Sequence, residues 1–153
     1  MLRQFIAYGL LGWCAEVVWT ALYDLWTGTR RAEGDRIGRV PMTRAERLRL
    51  SGRTYLWMFP IYGSAAFVFN PAHDALRAQA WPLRGLVYMT GIFVVEAIAG
   101  LLLKAVTGRC PWDYSYARFN VAGVIRLDYA PVWFAFGLLL ERVHDYLMQW
   151  PLS

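Results

Sequence analysis

The chain has 153 residues, room for one compact domain. Hydrophobic residues make up 58% of it and charged residues 18%, against the ~45–50% and ~25% of soluble domains, which argues against a water-soluble globule. The formal net charge is +5, but eight of the sixteen basic residues lie between residues 27 and 53, beside an apolar span. In that position they read as determinants of membrane topology and contacts for anionic lipid, so no nucleic-acid partner is expected.

Four apolar spans follow in chain order. The first, 4–26, is interrupted only by Glu16 and Asp24. No small-residue cleavage site follows it, so it reads as a membrane helix and not a leader. Gly9, Trp13, Glu16, Thr20 and Tyr23 step by four, three, four and three, which sets them on one helical face. The connector 27–53 holds Thr43-Arg44-Ala45-Glu46, a capping-box pattern that predicts a short helix on the membrane surface. The same connector is the candidate docking surface for a partner subunit.

The second span, 55–70, is short for the ~20 residues a crossing helix needs, and Pro60 and Gly63 predict a kink within it. The third, 83–106, carries Glu96 on the same face as Gly100, where the glycine admits a close neighbour. A motif loop, 107–129, separates it from the fourth span, 130–148, which carries Glu141. The expected fold is therefore all-α: one integral domain, a four-transmembrane-helix bundle with a structured loop between helices three and four.

Arg30, Arg31, Arg36, Arg39, Arg44, Arg47, Arg49, Arg53, Arg109, Arg118 and Arg126 fall in the first and third connectors, against four arginines on the opposite side. This asymmetry places those connectors in the cytoplasm and both termini outside, in a bacterial inner membrane. No internal repeat is evident.

Three glutamates inside apolar helices, Glu16, Glu96 and Glu141, are the first candidates for chemistry. A charge at mid-membrane costs at least ~2.5–3.5 kcal/mol, so such residues face a protein interior or a wet cavity. Each alone reads equally as a structural carboxylate held by an indole; three in so small a bundle point to a shared polar cavity. Glu141, His144 and Asp145 share a face, but His73 falls in a loop beyond the second span and no second Glu-x-x-His exists, so no metal site is expected. Ser115 and Cys110 lack the histidine partner of an activated nucleophile, and no phosphate-binding Gly-rich loop is present. No cofactor is implied. Cys14 reads as a small core residue, and both cysteines are expected to be reduced.

Gly12-Trp13-Cys14-Ala15-Glu16, Phe59-Pro60-Ile61-Tyr62-Gly63, Glu96 and Cys110-Pro111-Trp112-Asp113-Tyr114-Ser115, with Phe119-Asn120 and Gly123-Val124-Ile125-Arg126-Leu127 beyond them, resemble a known family. It is the ABC-transporter type IV family of bacterial membrane proteins, to which a set of small vertebrate transmembrane proteins is similar. By position, the resemblance carries Trp13, Glu16, Pro60, Tyr62, Gly63, Glu96, Trp112, Asp113, Tyr114, Ser115 and Asn120 as the family's recurring residues. Gly52-Arg53-Thr54-Tyr55-Leu56-Trp57 departs from the Asn-Arg-Gly stretch of many bacterial relatives and places the chain nearer the vertebrate-like branch.

The leading expectation is a transporter or channel-like protein for a small cationic or amphipathic solute. Its site would comprise Trp13, Glu16, Tyr62, Glu96, Trp112, Asp113, Tyr114, Asn120 and Glu141. The motif loop would seal the mouth with Trp112 and Tyr114, and Asp113 would cap a helix start or pair with Arg118 or Arg126. A loop that is only a structural plug is the alternative. Four short helices enclose little volume, so a homodimer is expected. A second class is an enzyme or binder acting on a lipid headgroup held by Arg109, Arg118 and Arg126; a third is a non-catalytic subunit or assembly factor.

Overall fold

The computed structural model describes residues 1–32 and 38–149; residues 33–37, which include Arg36, and residues 150–153 lie outside the described residues. Helix α1 (Leu2–Thr27) runs as the apolar pattern demands and stops at Gly28, whose φ of 66° is the left-handed conformation that ends a helix. Helix α5 (Trp81–Thr107) is longer by one residue and stops in the same way at Gly108. These two are long and apolar enough to cross a membrane. In their most apolar stretches only 22% and 17% of residues are buried, whereas the core helix of a soluble protein would be mostly covered.

The other two spans differ from the sequence reading. In the second, expected over 55–70, residues 55–57 lie outside any helix and the helix begins only at Met58, giving α3 (Met58–Gly63) and α4 (Ala65–Leu76), parted at Ser64. Pro60 falls in the first turn of α3, where its missing N–H is no loss, so the break comes four residues later. Pro71 does not stop α4, because Phe69, Asn70 and His73 are buried against neighbouring elements and packing overrides the local preference. His73 is thus helical and buried, not in a loop. The fourth span is α6 (Ala130–Gln149), 20 residues long, and its second half carries Glu141, Arg142, His144 and Asp145. It is mixed in character where α1 and α5 are uniformly apolar.

The connectors are built as well. Strands β1 (Thr29–Arg31) and β2 (Arg39–Pro41) pair antiparallel, with Arg30 opposite Val40. Helix α2 (Arg44–Leu48) starts in the expected capping box: the Thr43 amide donates to Glu46 at 2.8 Å and the Glu46 amide to the Thr43 hydroxyl at 3.3 Å. In the motif loop, β3 (Asn120–Val121) and β4 (Ile125–Arg126) form a second hairpin. Ala122 and Gly123 take positive φ at its tip, the twist that suits a tight hairpin. Trp112, Val124 and Cys110 of this loop are buried against Leu103 of α5, so the loop folds back over the end of the bundle.

The helices pack chiefly as two pairs: α1 lies on α3, and α5 lies on α6. Glycines set both seams. A Cβ on Gly9 would stand 2.7 Å from the Phe59 ring, one on Gly12 2.2 Å from Tyr62, and one on Gly63 2.8 Å from the Phe5 ring. Between α5 and α6, Gly85 receives Phe134 and Gly137 receives Tyr88. Such approach is the means by which helices associate where lipid removes the hydrophobic drive. Cys14 is exposed on α1 and not a core residue; Cys110 is buried, and both thiols are unbridged.

Candidate functional cavity

A cavity of about 460 Å³ lies between the two helix pairs. Its walls are mostly aliphatic and aromatic, with Glu16, Tyr62 and Glu96 among the lining residues. Gly52 lies against Val17, and the irregular segment 51–55 runs along the face of α1 on which the sequence sets Trp13, Glu16 and Thr20. Thr20 Oγ1 accepts the Arg53 amide at 2.8 Å, Thr54 Oγ1 donates to Glu16 at 2.6 Å, and Trp13 Nε1 donates to the Tyr55 carbonyl at 2.9 Å. These contacts satisfy backbone that no helix or sheet serves.

Glu96 reaches the cavity from α5, with Trp133 and Tyr114 as neighbours. Its Oε2 and the Trp133 Nε1 are both buried and neither makes a hydrogen bond of normal geometry. Trp133 and Tyr114 are the hydrogen-bonding neighbours of this carboxyl, so a small adjustment brings the indole N–H and Oε2 together. Tyr62 lies beside both glutamates.

The motif loop closes one end. Trp112 donates its indole N–H to the Val124 carbonyl at 3.0 Å and lies against Gly100; Tyr114 lines the cavity, its amide bonded to the Gly123 carbonyl at 2.7 Å. Burial drives the Tyr114 phenol well above its ordinary range and pushes the Cys110 thiol up to about 11.

Other expected site residues are elsewhere. Asp113 neither caps a helix nor pairs with Arg118 or Arg126: its carboxylate accepts from the Ser115 amide at 2.8 Å and hydroxyl at 2.6 Å. Partial burial pushes this carboxyl up, yet those two bonds, helped by Arg31 and Lys104, hold it below the usual range. Asn120 braces the hairpin, donating to the Ala117 carbonyl and accepting the Gly123 amide. Trp13 faces Phe59 on the outer side of the α1–α3 seam.

Glu141 does not share the cavity with Glu16 and Glu96. It is clamped by Arg84 at 2.9 and 3.0 Å and accepts from Tyr88 at 3.2 Å, because Arg84 lies opposite it across the α5–α6 seam. The three arginines meant for a headgroup do not gather. Arg109 is exposed, Arg118 is exposed over the Phe119 ring, and Arg126 is turned inward to Asp128, Tyr23 and Tyr129. A different set stands at the cavity mouth: Arg39 and Arg53 both clasp the buried Asp24, and Arg31 lies over Tyr55. Asp24 as the lone acid near the end of the first span was the sequence's signal for it.

A family described as "Putative ABC-transporter type IV" matches residues 3–152. The chain belongs to that family. No solved structure matches it. Membership covers both helix pairs and the motif loop, so the cavity between them lies wholly within the matched region.

Proposed function

We propose that this family member is an integral membrane protein that binds and passes an amphipathic organic cation through the cavity between its helix pairs. The observation that carries this reading is the Glu96 carboxylate in the aromatic and aliphatic part of the chamber, where its Oε2 makes no hydrogen bond of normal geometry. Aromatic faces and a desolvated carboxylate together suit a cation with an apolar body. In this reading α1, α5, α6 and the α3–α4 pair, which covers 58–76, are the four crossings, and the largely uncovered surfaces of α1 and α5 face lipid. Helix α1 meets α6 towards one end, where Gln4 bonds Met148 and Tyr8 faces His144, and towards the other meets Tyr129, just before α6, through Trp19. Leu11, Trp19 and Leu139, all cavity-lining and exposed, flank a side entrance from the bilayer between those ends.

Reconstituted vesicles test it. Uptake of amphipathic cations is expected in wild type and to fall about tenfold or more in Glu96→Gln, since a bond to a charged group is worth roughly 1.5–3 kcal/mol. Glu16→Gln is expected to weaken uptake less, because Thr54 already engages that carboxylate. Equal, background uptake by all three proteins across a panel of such cations would remove the proposal. A second reading rests on Arg31, Arg39 and Arg53, which set three cations against one Asp24 at the mouth. In it the chamber takes an anionic lipid, which would co-purify with wild type and be lost in Arg31→Gln.

A further inference from the structure

We propose that His73, Asp74 and His144 form a binding site for a divalent transition-metal ion of the zinc class, separate from the central cavity. The chain has two histidines, each followed by an aspartate: His73-Asp74 on α4 and His144-Asp145 on α6. The fold brings these dipeptides together at the end of the bundle opposite the motif loop. The imidazole centroids are 4.6 Å apart and both rings are buried. One nitrogen of each histidine and a carboxylate oxygen of Asp74 lie within 4.8 Å of one another.

Ligating histidines commonly have their second ring nitrogen held by an outer partner, which orients the ring and fixes the tautomer. His144 has one, and His73 Nε2 faces a carboxylate just beyond hydrogen-bond reach. Tyr8 Oη lies 3.0 Å from Asn70 Oδ1 and 2.5 Å from His144 Nδ1, so Nδ1 is engaged and Nε2 is the nitrogen left for a metal. His73 Nε2 lies 3.6 Å from Asp145 Oδ1, and Asp145 is anchored by Arg77 at 3.1 Å. That leaves His73 Nδ1, which already faces Asp74 Oδ1 at 3.2 Å.

Two imidazoles and one carboxylate are a ligand set for zinc, cobalt or nickel, whereas magnesium and calcium prefer oxygen alone. Zinc bonds of about 2.0–2.1 Å place tetrahedral ligand atoms roughly 3.3 Å apart, so the group must draw in by about 1.5 Å at its widest. Asp74, whose side chain is 74% exposed, is able to make that movement and opens the site to solution. Local charge agrees. Glu141 is matched by Arg84 and Asp145 by Arg77, so Asp74 supplies the remaining negative charge.

The test uses the full chain in detergent, with any affinity tag removed and metal stripped by a chelator. Zinc is titrated in competition with a chromophoric chelator, and cobalt serves as a spectroscopic probe of nitrogen ligation. The expected result is one zinc per chain, unaffected by excess magnesium. Asp74→Asn should bind about tenfold or more weakly; its exposed position keeps folding out of the comparison. Zinc should also raise the melting temperature of wild type but not of His73→Gln/His144→Gln. Equal zinc affinity in wild type and Asp74→Asn, or unchanged stoichiometry in the double variant, would overturn the proposal.

Discussion

Replacing Gly12 by alanine is the most direct probe of how the cavity is held in place. The added Cβ would stand 2.2 Å from Tyr62 Cγ and 2.5 Å from Tyr62 Cβ, where carbon contacts are comfortable only near ~3.5–4.0 Å. Those atoms are the root of the side chain, so a rotation of the ring gives no relief and α3 itself must retreat. Overpacking of this kind costs roughly 1–3 kcal/mol. Gly91, on the cavity side of α5, is the control, because a Cβ there meets nothing within 4 Å. Alanine gains about 1 kcal/mol of helix preference at either position, so that gain cancels in the comparison. For a chain of this size 1 kcal/mol shifts the midpoint by ~2–4 °C, and Gly12→Ala should therefore melt about 2–12 °C below Gly91→Ala. Thermal unfolding of both in one detergent, followed by tryptophan fluorescence, gives the answer. Coincident melting curves would mean that the α1–α3 seam is not the tight contact described above.

Removing one partner from the Glu141–Arg84 pair should cost more than removing both. Glu141→Gln is expected to lose about 3 kcal/mol, the lower end for a buried pair because Arg84 keeps its bond to the Gln79 carbonyl, and Arg84→Met/Glu141→Leu should recover most of it; additive losses in thermal melts would refute this. Asp113 gives the pH test. Its folded carboxyl titrates below the unfolded one, so its contribution is present above the ordinary range near ~3.9 and is lost as pH falls through the folded value. The melting difference between wild type and Asp113→Asn should therefore be constant from pH 7 to pH 5 and shrink towards pH 3; a difference that widens in acid would contradict the assignment.

The long apolar runs of α1 and α5 were readable because length, composition and a terminal glycine all agree there. The α1 face was equally clear, since helical spacing alone aligns Gly9, Trp13, Glu16 and Thr20. Other features depend on partners distant in sequence. Nothing local announces that the helix of the second span starts only at Met58, because Thr20, Glu16 and Trp13 supply the bonds that hold Arg53, Thr54 and Tyr55 against α1. Glu141 resembled its fellow glutamates until Arg84 was found across the seam. His73 was hidden by Pro71, a residue that ends helices by its own chemistry but is overruled here by burial on both sides. Asp113 was expected to cap a helix start or meet an arginine, but short polar side chains also bond their own turn, as it does with Ser115, and sequence does not separate the two.

The division of the bundle into two tightly seamed pairs has a mechanical consequence. Each pair is stiffened by its glycine seam, and the two pairs meet through side-chain contacts: Tyr8, Phe69 and His73 against Tyr88 and His144 at one end, and Tyr23 and Trp19 against Tyr129 at the other. Any sliding of one pair on the other must first part these rings, while each glycine seam travels intact with its own pair.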